Sequence, residues 1–119
     1  MDTLARKHCQ ACEGDVPPFT VEQSLALLPQ VPGWELADKV TSARITHILT
    51  RQFKFKDFVA AMDFVNRVAG LAESEGHHPD IYISWNRVRL ELTTHSIKGL
   101  SENDFIMAAK VNEMGGRET

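Results

Sequence analysis

Five histidines occur in the chain, and three of them fall where they could act together. His77 and His78 stand side by side in Glu73-Ser74-Glu75-Gly76-His77-His78-Pro79-Asp80, and His95 follows an alternating apolar run farther along. An imidazole with an ordinary pKa of ~6.5 takes up or releases a proton near neutral pH, so a cluster of them suits acid–base catalysis. Asp104 supplies a carboxylate that could orient one ring and favour its charged form. Other readings stay open on these residues alone. A His-His pair after a helix suits the negative end of the helix dipole whatever its function, and an acidic residue in the first turn of a helix is favoured in any protein. Several histidines with a carboxylate can also hold zinc or iron, although adjacent imidazoles tend to diverge.

Cys9 and Cys12 are the only cysteines. Their spacing could serve part of a zinc site or a redox pair, but tetrahedral zinc needs four ligands and no second pair follows. A c-type haem attachment needs histidine after the second cysteine, where Glu13 stands. The plainer reading is a mobile N-terminal segment with incidental thiols and no disulfide framework.

Bringing the histidines together requires particular elements. Residues 1–19 read as an extended lead-in, residues 20–115 as a single domain and residues 116–119 as a polar tail. Thr20-Val21-Glu22-Gln23 reads as a capping box that opens a short helix through Leu25 and Leu28, stopped by Pro29 and Pro32. Gly33 gives a turn into a short strand at Trp34-Glu35-Leu36, and a longer strand from about Ser42 to Phe53 places Ile45, Leu49 and Phe53 on one face. His47 and Arg51 share that face, so the alternation is imperfect. From Lys56 to Glu75 the period becomes helical, with Phe58, Met62, Val65, Ala69 and Ala72 joined by Ala61, Val68 and Leu71 in a wide apolar stripe. Gly76 and Pro79 end this helix.

Two strand-like runs follow, Ile81 to Trp85 and Val88 to Thr94, with a tight turn at Asn86-Arg87. Val88, Leu90 and Leu92 point one way and Arg89, Glu91 and Thr93 the other, as in a sheet buried on one face. A hairpin goes out and comes back, so His77-His78 before it and His95 after it meet at one end of the sheet. Ser101-Glu102-Asn103-Asp104 resembles a capping box opening a last helix through Ile106, Ala109 and about Met114, ended by Gly115-Gly116. The expected fold is α+β, a four-stranded antiparallel sheet with about three helices packed on one face.

Composition narrows the function classes. The 119 residues carry 43% apolar and 24% charged side chains, ordinary for one globular domain, and the net charge of −3 comes with no basic stripe to follow a phosphate backbone. Direct nucleic-acid binding is therefore not expected. No apolar run reaches the ~20 residues of a membrane span, and Met1 to Lys7 lacks a secretory h-region, so the expectation is a cytoplasmic protein with no membrane association.

The stretches Glu73 to Asp80, Trp85-Asn86-Arg87-Val88, Leu92-Thr93-Thr94-His95 and Gly99-Leu100-Ser101-Glu102-Asn103-Asp104 together closely resemble the pterin-4a-carbinolamine dehydratase family. Gly33-Trp34-Glu35-Leu36 and Phe53-Lys54-Phe55-Lys56-Asp57-Phe58 extend the similarity over nearly everything from Thr20 to Met114. The resemblance implies a shallow pterin pocket in which His77, His78 and His95 form the catalytic set, with Asp104 and Glu73 at supporting acidic positions. It places Thr94 and Ser96 against the pterin ring, partly through the backbone. Trp34 matches an aromatic position near the pocket, and a buried core tryptophan is the other reading. Gly76 stands where relatives often have Asn or Asp, and the cysteine-containing lead-in lies outside what matches the better-known animal proteins.

The activity implied is loss of water from 4a-hydroxytetrahydropterin to give quinonoid dihydropterin, with His77 and His95 sharing acid and base roles and His78 mainly binding the ring. No metal or redox cofactor is implied. The pathway implied is recycling of the pterin used by an aromatic amino-acid hydroxylase. A superfamily variant acts in molybdopterin metabolism, and animal members also serve as dimerisation cofactors of a homeodomain transcription factor through a helix surface. Self-association as a homodimer or homotetramer follows from the same resemblance.

Overall fold

The structure is a computed structural model and describes residues 4–10 and 16–114. Cys12 and the polar tail lie outside the described residues. Thr20 opens helix α1 (Val21–Leu27) by the expected capping box: its hydroxyl accepts the Gln23 N–H at 3.1 Å, and the Gln23 side chain accepts the Thr20 N–H at 2.8 Å. The chain then tightens into a 3₁₀ turn at Leu28–Gln30 that accommodates Pro29. Gly33 follows with φ of 90°, and a Cβ there would stand 2.6 Å from the Arg51 guanidinium carbon, so the turn and the close approach both call for glycine.

Four strands form one antiparallel sheet in the order β1-β2-β4-β3, where β1 is Glu35–Val40, β2 Ile45–Lys54, β3 Asp80–Ser84 and β4 Arg87–Leu92. The register sets Leu49 opposite Leu92, Phe53 opposite Val88 and Ile81 opposite Leu90, which gathers the apolar alternation onto one face. Arg51 breaks that alternation without leaving a buried charge unsatisfied. Its guanidinium donates to the Asn112 side chain and the Pro32 carbonyl, and lies 4.7 Å from the Phe53 ring centre. Ile45 shares the face but is exposed, being at the far end of β2 opposite Val40.

Asp57 caps helix α2 (Phe58–Glu75) by accepting the Ala60 N–H at 2.8 Å, and Gly76 ends it in the left-handed conformation, φ 66°. The buried stripe is Ala61, Phe64, Val65, Val68 and Ala72. This differs from the expected stripe: Phe58 is half exposed and Ala69 is exposed, while Phe64 is fully buried. The reason is aromatic packing, since Phe64 meets Phe53 at 4.6 Å and Phe55 at 5.1 Å between ring centres. Phe58 sits in the first turn and remains largely in solvent. The turn of the second hairpin is also displaced by one residue from the expected Asn86-Arg87. Ser84 pairs with Arg87, so Trp85 and Asn86 form the turn and Arg87 belongs to β4.

Helix α3 (Glu102–Glu113) is the most enclosed element, with every residue from Asn103 to Ala109 buried. The sheet accounts for one side of it. The other side is covered by residues 4–10, whose 3₁₀ turn Leu4–Arg6 buries Leu4 in the main core, while Lys110 donates to the Ala5 carbonyl at 2.7 Å. Where the sequence suggested a mobile lead-in, these residues are docked. No helix among the described residues is long and apolar enough to cross a membrane.

Candidate active site

The end of α2, the start of α3 and the turn after β4 meet at one end of the sheet. Gly76 turns the chain out of α2, and the two histidines that follow diverge. His77 points inward and is 11% exposed at its side chain; its Nε2 lies 2.7 Å from Oδ1 of the fully buried Asp104. His78 points outward, with its Nε2 2.7 Å from Glu73 Oε2, and both partners of that pair are largely exposed. The two imidazoles thus have different surroundings, one fixed in a polar interior and one held loosely at the rim.

Asp104 is held on both oxygens. Its Oδ2 accepts the Ser101 N–H at 3.0 Å, closing the capping box of α3, and the Thr94 hydroxyl at 2.8 Å. The Ser101 hydroxyl lies 2.7 Å from that of Thr94 and accepts the Asn103 N–H at 3.2 Å. Because the Thr94 proton goes to Asp104, Ser101 must supply the proton between the two hydroxyls. With Asp104 ionised, both of its oxygens accept, the His77 nitrogen facing Oδ1 carries the hydrogen, and a neutral His77 keeps its free lone pair on Nδ1. A buried carboxylate would be costly without these partners, and the helix N-terminus adds further stabilisation.

Thr94 is positioned by its own backbone, whose N–H donates to the Gly99 carbonyl at 2.8 Å across an isolated bridge. The chain between them makes a 3₁₀ turn, His95–Ile97, closed by Lys98 in the left-handed conformation. This turn presents His95 and Ser96 to solvent at the mouth of a cleft of about 250 Å³. His77, His78, Thr94, His95 and Ser96 line that cleft, together with Gly76, Thr93, Asn103 and Gln10. His95 also faces a second hollow of about 180 Å³ that includes Arg44 and Lys98.

Of the residues singled out in the sequence, the structure brings five to the cleft lining. Asp104 lies directly behind His77, and Glu73 reaches the site only through His78. Trp34 is buried in the core, where its N–H donates to Asn112 at 3.0 Å, and it does not line the cleft. Sequence reasoning missed Gln10 and Asn103. Asn103 sits beside Asp104 and was within reach of the capping-box argument, whereas nothing in the pattern around Gln10 connects it to residues so far along the chain. Among the described residues no three His, Cys, Asp or Glu side chains form a group suited to a metal ion.

The cleft can accommodate a small polar heterocycle and bring three imidazoles and hydroxyl groups to it. Comparison with known proteins agrees in kind. The family model described as pterin 4 alpha carbinolamine dehydratase matches residues 17–114. A Methylococcus capsulatus protein, provisionally named a pterin-4-alpha-carbinolamine dehydratase, is 50% identical over 94% of this chain and 93% of its own length. Pterin-4-alpha-carbinolamine dehydratase 2, mitochondrial, of Arabidopsis thaliana is 44% identical over 93% of this chain and 58% of its own. A crystal structure described as a transcriptional coactivator/pterin dehydratase from Brucella melitensis superposes with a TM-score of 0.72 at 36% identity, covering 83% of this chain and 99% of that one.

Proposed function

Because the chain belongs to the pterin-4a-carbinolamine dehydratase family, a family of hydro-lyases, we propose that it dehydrates 4a-hydroxytetrahydropterin in the histidine-lined cleft with its own side chains as acid and base. The observation that carries this reading is the buried Asp104–His77 pair at the wall of a cleft that His95 also lines.

The substrate has a hydroxyl on carbon 4a beside a ring N–H. As a base removes the proton from nitrogen, its electron pair forms the C=N bond, the C–O bond breaks, and an acid delivers a proton to the departing oxygen. The products are quinonoid dihydropterin and water, and solvent exchange returns the two imidazoles to their starting protonation. His77 suits one role because Asp104 fixes its tautomer and stabilises its positive charge. His95, at the open mouth, suits the other because it can exchange protons with water. His78 and the Thr94 and Ser96 segment bind the ring, with Glu73 orienting His78. The same reading places the protein in the cytoplasm, self-associated, where it serves an aromatic amino-acid hydroxylase by recycling its pterin.

The test is to generate 4a-hydroxytetrahydropterin with a phenylalanine hydroxylase and follow its absorbance with and without the protein, chelator present throughout. Faster decay supports the reading. Decay at the uncatalysed rate contradicts it.

A further inference from the structure

The family match begins at residue 17, so the docked N-terminal segment lies wholly outside it. That segment is nevertheless tied to both elements that build the site. At the end of α2, Glu75 accepts the Cys9 N–H at 2.8 Å and faces His8 Nδ1 at 3.1 Å, two residues before His77. At the start of α3, the Gln10 N–H donates to Asn103 Oδ1 at 2.9 Å and the Asn103 side-chain amide donates back to the Gln10 carbonyl. The Cys9 thiol adds a contact of 3.6 Å to the Asn103 carbonyl. Burial pushes that thiol up to about 12, so it remains a protonated donor and is no nucleophile.

These contacts hold the main chain of residue 10 against the start of α3, and Gln10 lines the cleft alongside His77 and His95. Its carboxamide makes one long contact, 3.4 Å to the His8 carbonyl, and is otherwise open to a ligand among the described residues. A carboxamide offers one acceptor and two donors, which matches a ring edge with adjacent N–H and carbonyl groups. The histidines and hydroxyls that share the lining would be occupied with proton transfer and ring binding. Resting on the dehydratase reading, we propose that the N-terminal strap is a wall of the pterin pocket, with Gln10 a specificity residue that hydrogen-bonds the polar edge of the ring and Asn103 a positioning residue that acts through Gln10.

Gln10→Ala removes the carboxamide and leaves the backbone pairing with Asn103 intact. Asn103→Asp keeps an acceptor for the Gln10 N–H but turns a carboxylate oxygen toward the Gln10 carbonyl, and aspartate is well tolerated at a helix start. Each is assayed for kcat, KM and thermal midpoint, and for equilibrium binding of 7,8-dihydrobiopterin by fluorescence. The expected result is a KM and dissociation constant raised about three- to ten-fold by either change, the worth of roughly one hydrogen bond, with kcat within about two-fold and no loss of midpoint for Gln10→Ala. The two changes combined should weaken binding little more than one alone, because one acts through the other.

Unchanged KM and binding in Gln10→Ala, or two full effects that multiply, overturns the proposal while leaving the dehydratase reading in place. Binding of the dihydropterin that depends on Gln10, without any acceleration of dehydration, supports the pocket wall and overturns the dehydratase reading. Absence of both binding and acceleration overturns the two together.

Discussion

At the scale of single residues, the account rests on what Asp104 does for His77. One oxygen faces the ring, and the other accepts a backbone N–H and the Thr94 hydroxyl, so the carboxylate cannot rotate away without losing a partner. Asp104→Asn offers an amide in place of one accepting oxygen and weakens the hold on the imidazolium. The expected loss in kcat is about 10- to 100-fold, the worth of one hydrogen bond to a charged group, with a smaller change in KM. A loss confined to KM would assign Asp104 to binding alone. Much of this candidate site was legible in the sequence: His77, His78, His95 and Asp104 carry chemistry in their side chains, Ser101 to Asp104 carries a cap pattern, and the family resemblance joined them into one set with Glu73, Thr94 and Ser96. The opposite orientations of the two adjacent histidines were foreseeable only as a tendency, since it is Asp104 and Glu73 that decide them. Gln10 was not legible: its only signal is proximity in space.

At the scale of elements, caps and alternation predicted most helices and strands, and the misplacements have local causes. The second hairpin turns at Trp85-Asn86, with Trp85 at φ 53° and 68% exposed, a conformation that favours glycine and disfavours a bulky side chain. Trp85→Gly is expected to stabilise the fold by about 1 kcal/mol, raising the thermal midpoint by a few degrees in a calorimetric scan. A lowered midpoint would mean that the indole's contacts outweigh the backbone strain.

The joint between α2 and the strap is sensitive to acid. The Cys9 N–H, with help from His8 and Lys110, holds the largely buried Glu75 below the ordinary carboxylate value of 4.5 despite its desolvation. A carboxylate depressed in the folded state contributes stability that is present above its unfolded pKa and is lost as pH falls through the folded one. Glu75→Gln, which keeps an acceptor for Cys9, should therefore be less stable than the parent at pH 7 by about 1 kcal/mol, with the difference closing below about pH 4.5. Thermal midpoints measured from pH 7 to pH 3.5 check this, and a gap that widens in acid would contradict it.

At the scale of the whole molecule, one layer of helices lies on one face of a four-stranded sheet, and the second hairpin returns the chain so that α2, the turn after β4 and α3 converge at a single end. That convergence followed from the sequence because a hairpin fixes its own ends together. The docking of residues 4–10 on α3 did not, since a lone Leu4 in a polar segment carries no period from which burial could be read. The central claim is that His77 and His95, brought to one cleft from separate elements, act as a single acid–base unit. Dehydration of 4a-hydroxytetrahydropterin by the parent, His77→Ala, His95→Ala and the double variant tests it most directly. Each single change should lower kcat by about 10²–10⁴-fold, and the double change should lower it far less than the product of the two. Full activity in either single variant would contradict the claim.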